Sequence, residues 1–273
     1  MFEYDFMRNA FAAAGIVAVL CGAVGYFLVL RGQSFAGHEL AHVGFTGAAG
    51  AYLVGVAPLW GLVAMTLAGG VGMGLIGERL AQRDVAIGIV LAVSLGFGLL
   101  FLHFYTSAAG TPGALLFGNV LAVDAATVWT LAGLSVLSLV GLGVISRPLL
   151  FASLMPELAE AKGVSLRLYG VLFLLIVALA TAGCAQIVGV LLVFSLMVGP
   201  AAAAQLLTAR LGLGVALSVG FALLAAWAGM AFAYYTDWPA SFWISALSGA
   251  IYLLAASAAR FGGLDQLDGA QQA

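Results

Sequence analysis

The pentapeptide His38-Glu39-Leu40-Ala41-His42 holds two of the chain's three histidines, with an acid between them. On a helix, residues i and i+4 share a face, so the two imidazoles can bind one metal ion. Thr46 extends that face, and Glu39 points about 100° away. The same letters satisfy the H-E-x-x-H pattern, in which two histidines hold zinc and the glutamate is a general base. A plainer reading is a buried histidine pair hydrogen-bonded to nearby backbone. The third histidine, His103, is expected near the outer end of a membrane span, where an interfacial imidazole needs no ligand.

The elements that must position this pair are membrane helices. Hydrophobic residues make up 64% of the chain and charged residues only 7%, against roughly 25% charged in a soluble domain. Such a chain cannot clothe itself in a polar surface, and its apolar runs are long enough to cross a bilayer repeatedly. Its 37 glycines suit close packing on small residues. The expected fold is an all-α polytopic bundle of about 8–9 transmembrane helices, with spans near 10–30, 38–56, 59–77, 85–105, 124–146, 166–183, 186–208, 212–235 and 241–259. Residues 1–260 form one transmembrane domain in this reading, and 261–273 a polar, disordered tail. Cys21 and Cys184 lie in apolar runs and imply no disulfide framework. The start MFEYDFMRN lacks the basic-then-apolar order of a cleavable signal. The net charge of −2 says little, and no nucleic-acid partner is expected.

Orientation follows from the cations. Alternate connections hold Arg31, Arg79, Arg83, Arg147, Lys162, Arg167, Arg210 and Arg260, while the opposite side holds only Arg8. The positive-inside rule then places the N-terminus outside and the C-terminus in the cytoplasm. Trp60, Trp129, Trp238 and Trp243 fall near the outer interface, as an aromatic belt does. Glu78 and Asp84 flank an inner connection and read as a solvated loop balanced by Arg79 and Arg83.

Two connections are more than turns. The outer one, 106–123, begins Gly- and Pro-rich and continues through Ala114–Phe117, which suggests a short surface helix. The inner one, 147–165, contains a short amphipathic helix near 153–163. Ser153 or Met155 is the expected cap, Pro156 opens the first turn, Glu157 meets the positive dipole end and Gly163 terminates the helix. Leu154, Leu158 and Ala161 share one face. The element is either a helix resting on the membrane or a docking piece for a cytoplasmic partner.

A hydrolase needs a third zinc ligand and an open position. Intramembrane proteases of the site-2 type carry a later Leu-Asp-Gly whose Asp is that ligand, and Leu267-Asp268-Gly269 is present. It lies in the polar tail, beyond the last span, where an Asp cannot readily enter the bilayer to meet His38 and His42.

Several separated stretches resemble the membrane permease subunit of bacterial ABC transporters for zinc and manganese. VLRGQSFAGHELAHVGFTGAAGA (29–51) is similar to that family's Ser-Phe-x-Gly-Asp-x-Leu-Ser-His region. RDVAIGIVLAVSLGFGLLFL (83–102), LLFGNVLAV (115–123), PELAEAKGV (156–164) and VGVLLVFSLMVGPAAAAQLL (188–207) follow in family order. The resemblance implies a permease that dimerises, with the metal path on the dimer axis, in the bacterial cytoplasmic membrane. It implies cytoplasmic ATPase subunits docked on a coupling helix that includes Leu154, Pro156, Glu157, Leu158, Ala161 and Gly163. It also implies an extracytoplasmic metal-binding protein over the 106–123 loop. ATP acts on the partner subunit, so no catalytic residue and no permanently bound cofactor is expected here.

One departure is informative. Where the family usually has Asp, this chain has His38, and His42 holds the family's histidine position. Both are expected metal contacts, with Glu39 as a further candidate: a third ligand, a charge balancer, or an acceptor that orients an imidazole. Two nitrogens suit zinc, nickel, cobalt or copper better than manganese, so the expected cargo is zinc, with manganese or another transition metal as the alternative. An intramembrane zinc protease and a permease for a larger metal chelate are the rival readings.

Overall fold

The computed structural model describes residues 4–76, 80–104, 118, 123–190 and 193–271. Ten helices lie among them: α1 Asp5–Leu30, α2 Ser34–Leu53, α3 Pro58–Ile76, α4 Leu80–Phe104, α5 Ala125–Leu154, α6 Pro156–Ala161, α7 Leu166–Val188, α8 Val193–Leu207, α9 Leu211–Thr236 and α10 Ala240–Gln271. Apart from the short α6, they follow the nine expected spans in order.

Six of these helices are long and apolar enough to cross a membrane: α1, α3, α5, α7, α9 and α10. α1 is the axis of the fold. It packs against α5, α7, α8 and α9, and most of its apolar window is buried. That burial suits its alanine- and glycine-rich sequence, which lets neighbouring backbones approach. α2 is less apolar because it carries His38, Glu39 and His42, yet twelve of its twenty residues are buried. It is wrapped by α3, α4 and α7, so its polar side chains meet protein rather than lipid. At the α2–α3 crossing a methyl group on Gly47 would collide with the Gly61 carbonyl, and one on Gly61 with the Gly47 carbonyl.

Helix ends depart from the sequence reading in several places. α2 starts at Ser34 rather than 38, because the chain turns back sharply after α1. Gly32 adopts φ +65°, and its N–H and that of Gln33 bond to the Val29 and Leu28 carbonyls at 3.0 Å each. This is a Schellman closure, which needs the left-handed conformation glycine tolerates. HELAH therefore begins one turn inside α2 rather than at its first residue. α5 runs on through Arg147-Pro148 to Leu154, where the sequence reading ends the span near 146. Its last turns are held by burial of Leu149 and Ala152. The break expected near Gly183 falls at Gly189, the C-cap of α7. α10 continues as helix to Gln271, where a disordered tail is expected from 261; its apolar span ends at Arg260.

Asp124 caps α5, its carboxylate accepting from the Thr127 N–H at 2.9 Å. Both cysteines are fully buried, on α1 and α7.

Candidate metal site

α2 brings His38 and His42 together as the i, i+4 spacing requires. Their ring centroids are 4.6 Å apart and the rings are near-perpendicular, at 88°. Both imidazoles are half-buried, and the Nδ1 atom of each is buried with no hydrogen-bond partner in the chain. The plain reading of the pair as hydrogen-bonded to neighbouring backbone is therefore not met at these atoms. A buried imidazole nitrogen without a partner carries a desolvation penalty, and a bound cation would remove it.

Side chains from neighbouring helices surround the pair. His38 packs edge-on against Phe194 of α8, with centroids 6.3 Å apart, and Phe194 in turn meets Phe35 at 5.5 Å. One turn beyond His42, the Thr46 hydroxyl donates to the Ser94 carbonyl and ties α2 to α4. A methyl group on Gly37 would sit 3.0 Å from the Met197 sulfur and 3.8 Å from the Thr181 hydroxyl, which is buried and unpartnered. Phe194, Thr181 and Met197 are absent from the sequence reading, because residues about 150 positions from HELAH meet it only through tertiary packing.

Glu39 is half-buried and engaged within the chain. Among the described residues, no group of three His, Cys, Asp or Glu side chains converges to hold an ion. One chain thus offers two nitrogen donors and an incomplete shell. His103, near the end of α4, is exposed and rests against Phe104 at 5.8 Å. The side chains of Glu78, Asp84 and Asp268 lie outside the described residues, as does nearly all of the 106–123 loop.

The expected coupling helix is α6. Met155, not Ser153, is its N-cap residue, and Pro156 and Glu157 lie in its first turn. Ser153 instead donates to the Leu149 carbonyl at 2.5 Å and accepts from the Arg31 Nη1 at 2.6 Å. Gly163, at φ +80°, closes α6 as the bonds from Gly163 to Glu160 and from Val164 to Ala159, each 2.9 Å, require. Ala159 is buried against the bundle, whereas Leu154, Met155, Pro156, Glu157, Leu158 and Ala161 are exposed. An exposed apolar run, Leu154, Met155, Pro156 and Leu158, thus leads into α6, a helix that no side chain caps at its N-terminus.

The ABC 3 transport family profile matches residues 3–259. The manganese transport system membrane protein MntC of Halalkalibacterium halodurans is 29% identical over 238 residues, covering 87% of this chain and 82% of its own. The manganese import system permease protein ScaB of Streptococcus gordonii is 30% identical over 235 residues, covering 84% of each. Among solved structures, PsaBC from Streptococcus pneumoniae in complex with Fab superposes with a TM-score of 0.84 at 26% identity, over 93% of this chain and 91% of that one. A profile match along nearly the whole chain, on a helical membrane fold shared with a solved relative, makes this protein a member of the ABC 3 transport family.

Proposed function

We propose that the chain is the permease subunit of an ATP-driven importer for a divalent transition-metal ion, and that His38 and His42 are the ligands at which the ion pauses in transit. The observation that carries the reading is the pair of buried, unpartnered Nδ1 atoms on adjacent turns of one intramembrane helix. A transport site must bind and then release. Two nitrogens with an open remainder suit that better than a closed four-ligand structural site. A second copy of the chain, facing the first across a shared axis, would complete the path. Movement of the two protomers would then separate the ligands and release the ion.

The relatives are named for manganese, which moves the cargo reading from zinc toward manganese. Zinc stays as the second reading on one observation: both donors that the described chain brings together are imidazole nitrogens, which manganese favours least among first-row ions. Glu39 supplies negative charge beside the pair and offsets that of the cation.

In the same proposal, two cytoplasmic ATPase subunits grip α6 through Leu154, Pro156, Glu157, Leu158, Ala161 and Gly163, and an extracytoplasmic binding protein delivers the ion over residues 106–123. The protein sits in the bacterial inner membrane with its N-terminus outside. The test is ATP-dependent uptake of labelled manganese and of labelled zinc into vesicles holding the whole transporter, each competed with the other, nickel and cobalt. Uptake of either ion supports the reading and ranks the cargo. No uptake of any divalent ion, with ATP hydrolysis intact, overturns it and raises the metal-chelate alternative.

A further inference from the structure

We infer that the cavity between the ends of α1, α3, α5 and α7 is a binding site for an anionic phospholipid, whose phosphate is held by Arg31 and Arg167. The cavity is about 790 Å³, and its polar lining includes Arg31, Gln33, Ser153 and Arg167. Its other walls are apolar, among them Leu30, Met73, Leu75 and Leu174. Among the described residues, no Asp or Glu lines it.

Arg31 is held in position. Its Nη1 donates to Ser153 at 2.6 Å and its Nε to Gln33 at 3.4 Å, and its guanidinium lies over the Phe173 ring, 5.4 Å from the centroid. Arg167 enters from α7, is exposed, and reaches the Leu75 carbonyl at 3.5 Å. It also borders a smaller depression with Glu160.

The chemistry narrows the occupant. Two guanidiniums repel a divalent cation, so the cavity is no part of the metal path. Guanidinium forks match phosphate oxygens. The apolar walls need an occupant with hydrocarbon attached to its anion, which a nucleotide or free phosphate lacks. Basic pockets between transmembrane helices on the cytoplasmic side are where lipid headgroups bind. Ser153 and Pro156 line the same cavity, and Pro156 opens α6. An occupied cavity would thus brace the root of the coupling helix. This placement rests on the orientation proposed above.

The test is native mass spectrometry of the detergent-purified permease–ATPase complex, counting retained phosphatidylglycerol and cardiolipin against phosphatidylethanolamine. Wild type retains the anionic lipids selectively. Arg31→Gln and Arg167→Gln each lower retention about fivefold, the effect of losing roughly one cationic contact near a membrane surface. Gly170→Leu keeps both arginines but narrows the cavity, since Gly170 lines it and an added Cβ there meets nothing within 4 Å; it lowers retention. Unchanged retention in Gly170→Leu overturns the proposal, as does equal retention of phosphatidylethanolamine or displacement by inorganic phosphate. His38→Ala/His42→Ala keeps the lipid, so failure of the metal reading leaves this result intact. A reversed orientation is detected separately, by labelling of α6 from the outside.

Discussion

If His38 and His42 bind the ion as proposed, they act as a pair, and their separate loss reports on that. Even residues that only orient metal ligands change affinity by about 10–100-fold, so His38→Ala or His42→Ala alone should lower metal uptake at least about tenfold at equal membrane abundance. His38→Asp tests the cargo more finely. Replacing one nitrogen with oxygen donors should raise the ratio of manganese to zinc uptake; an unchanged ratio would place selectivity elsewhere, for instance in the binding protein. The pair was legible in the sequence because i, i+4 spacing on a helix is a local property. The cage around it was not. Phe194 against His38, the Met197 sulfur over Gly37, and the Thr46 bond to Ser94 depend on which helices touch, and nothing in residues 34–53 encodes their partners by spacing.

Helix ends carry the next set of consequences. Gly163 takes a left-handed conformation to close α6, and a side chain there costs roughly 1–2 kcal/mol. Gly163→Ala should therefore loosen α6 and reduce ATP-driven uptake, while equilibrium metal binding to the permease stays at the wild-type level; parallel loss of both would point to general misfolding. At the α2–α3 crossing, Gly47→Ala forces a methyl against the Gly61 backbone. Overpacking of this kind destabilises by about 1–3 kcal/mol, and a lower melting temperature in detergent is the expected readout. The caps were partly legible. Pro156, Glu157 and Gly163 are positioned as the turn rules demand, but Ser153 is drawn away from capping by Arg31, a residue 122 positions earlier. α5 runs past its expected end, through Pro148, where buried Leu149 and Ala152 hold the last turns in place.

Across the whole molecule, composition was enough for the class: a chain with 7% charged residues has to be solvated by lipid. Hydropathy alone was a poorer guide to number. Only six of the described helices qualify as spans by length and apolarity; α2 loses apolarity to His38, Glu39 and His42, α8 is only fifteen residues long, and the apolar stretch of α4 is Leu91–Phe101. Both α2 and α8 were nonetheless placed in the sequence as apolar runs near 38–56 and 186–208. Orientation is open to direct measurement. Cys21 and Cys184 are fully buried, so a new cysteine at exposed Ala161 reports alone. A membrane-impermeant maleimide should label it in inside-out vesicles and not in intact cells, whereas Tyr235→Cys, near the end of α9, should show the reverse. In the proposed mechanism the imidazole pair is the transport site. The most direct measurement is ATP-dependent uptake of labelled manganese and zinc into proteoliposomes, comparing wild type with His38→Ala/His42→Ala at equal abundance and equal ATPase assembly. If the pair is the transport site, uptake of both ions falls to the level seen without ATP. Uptake that survives the double substitution would contradict it and place the essential ligands outside α2.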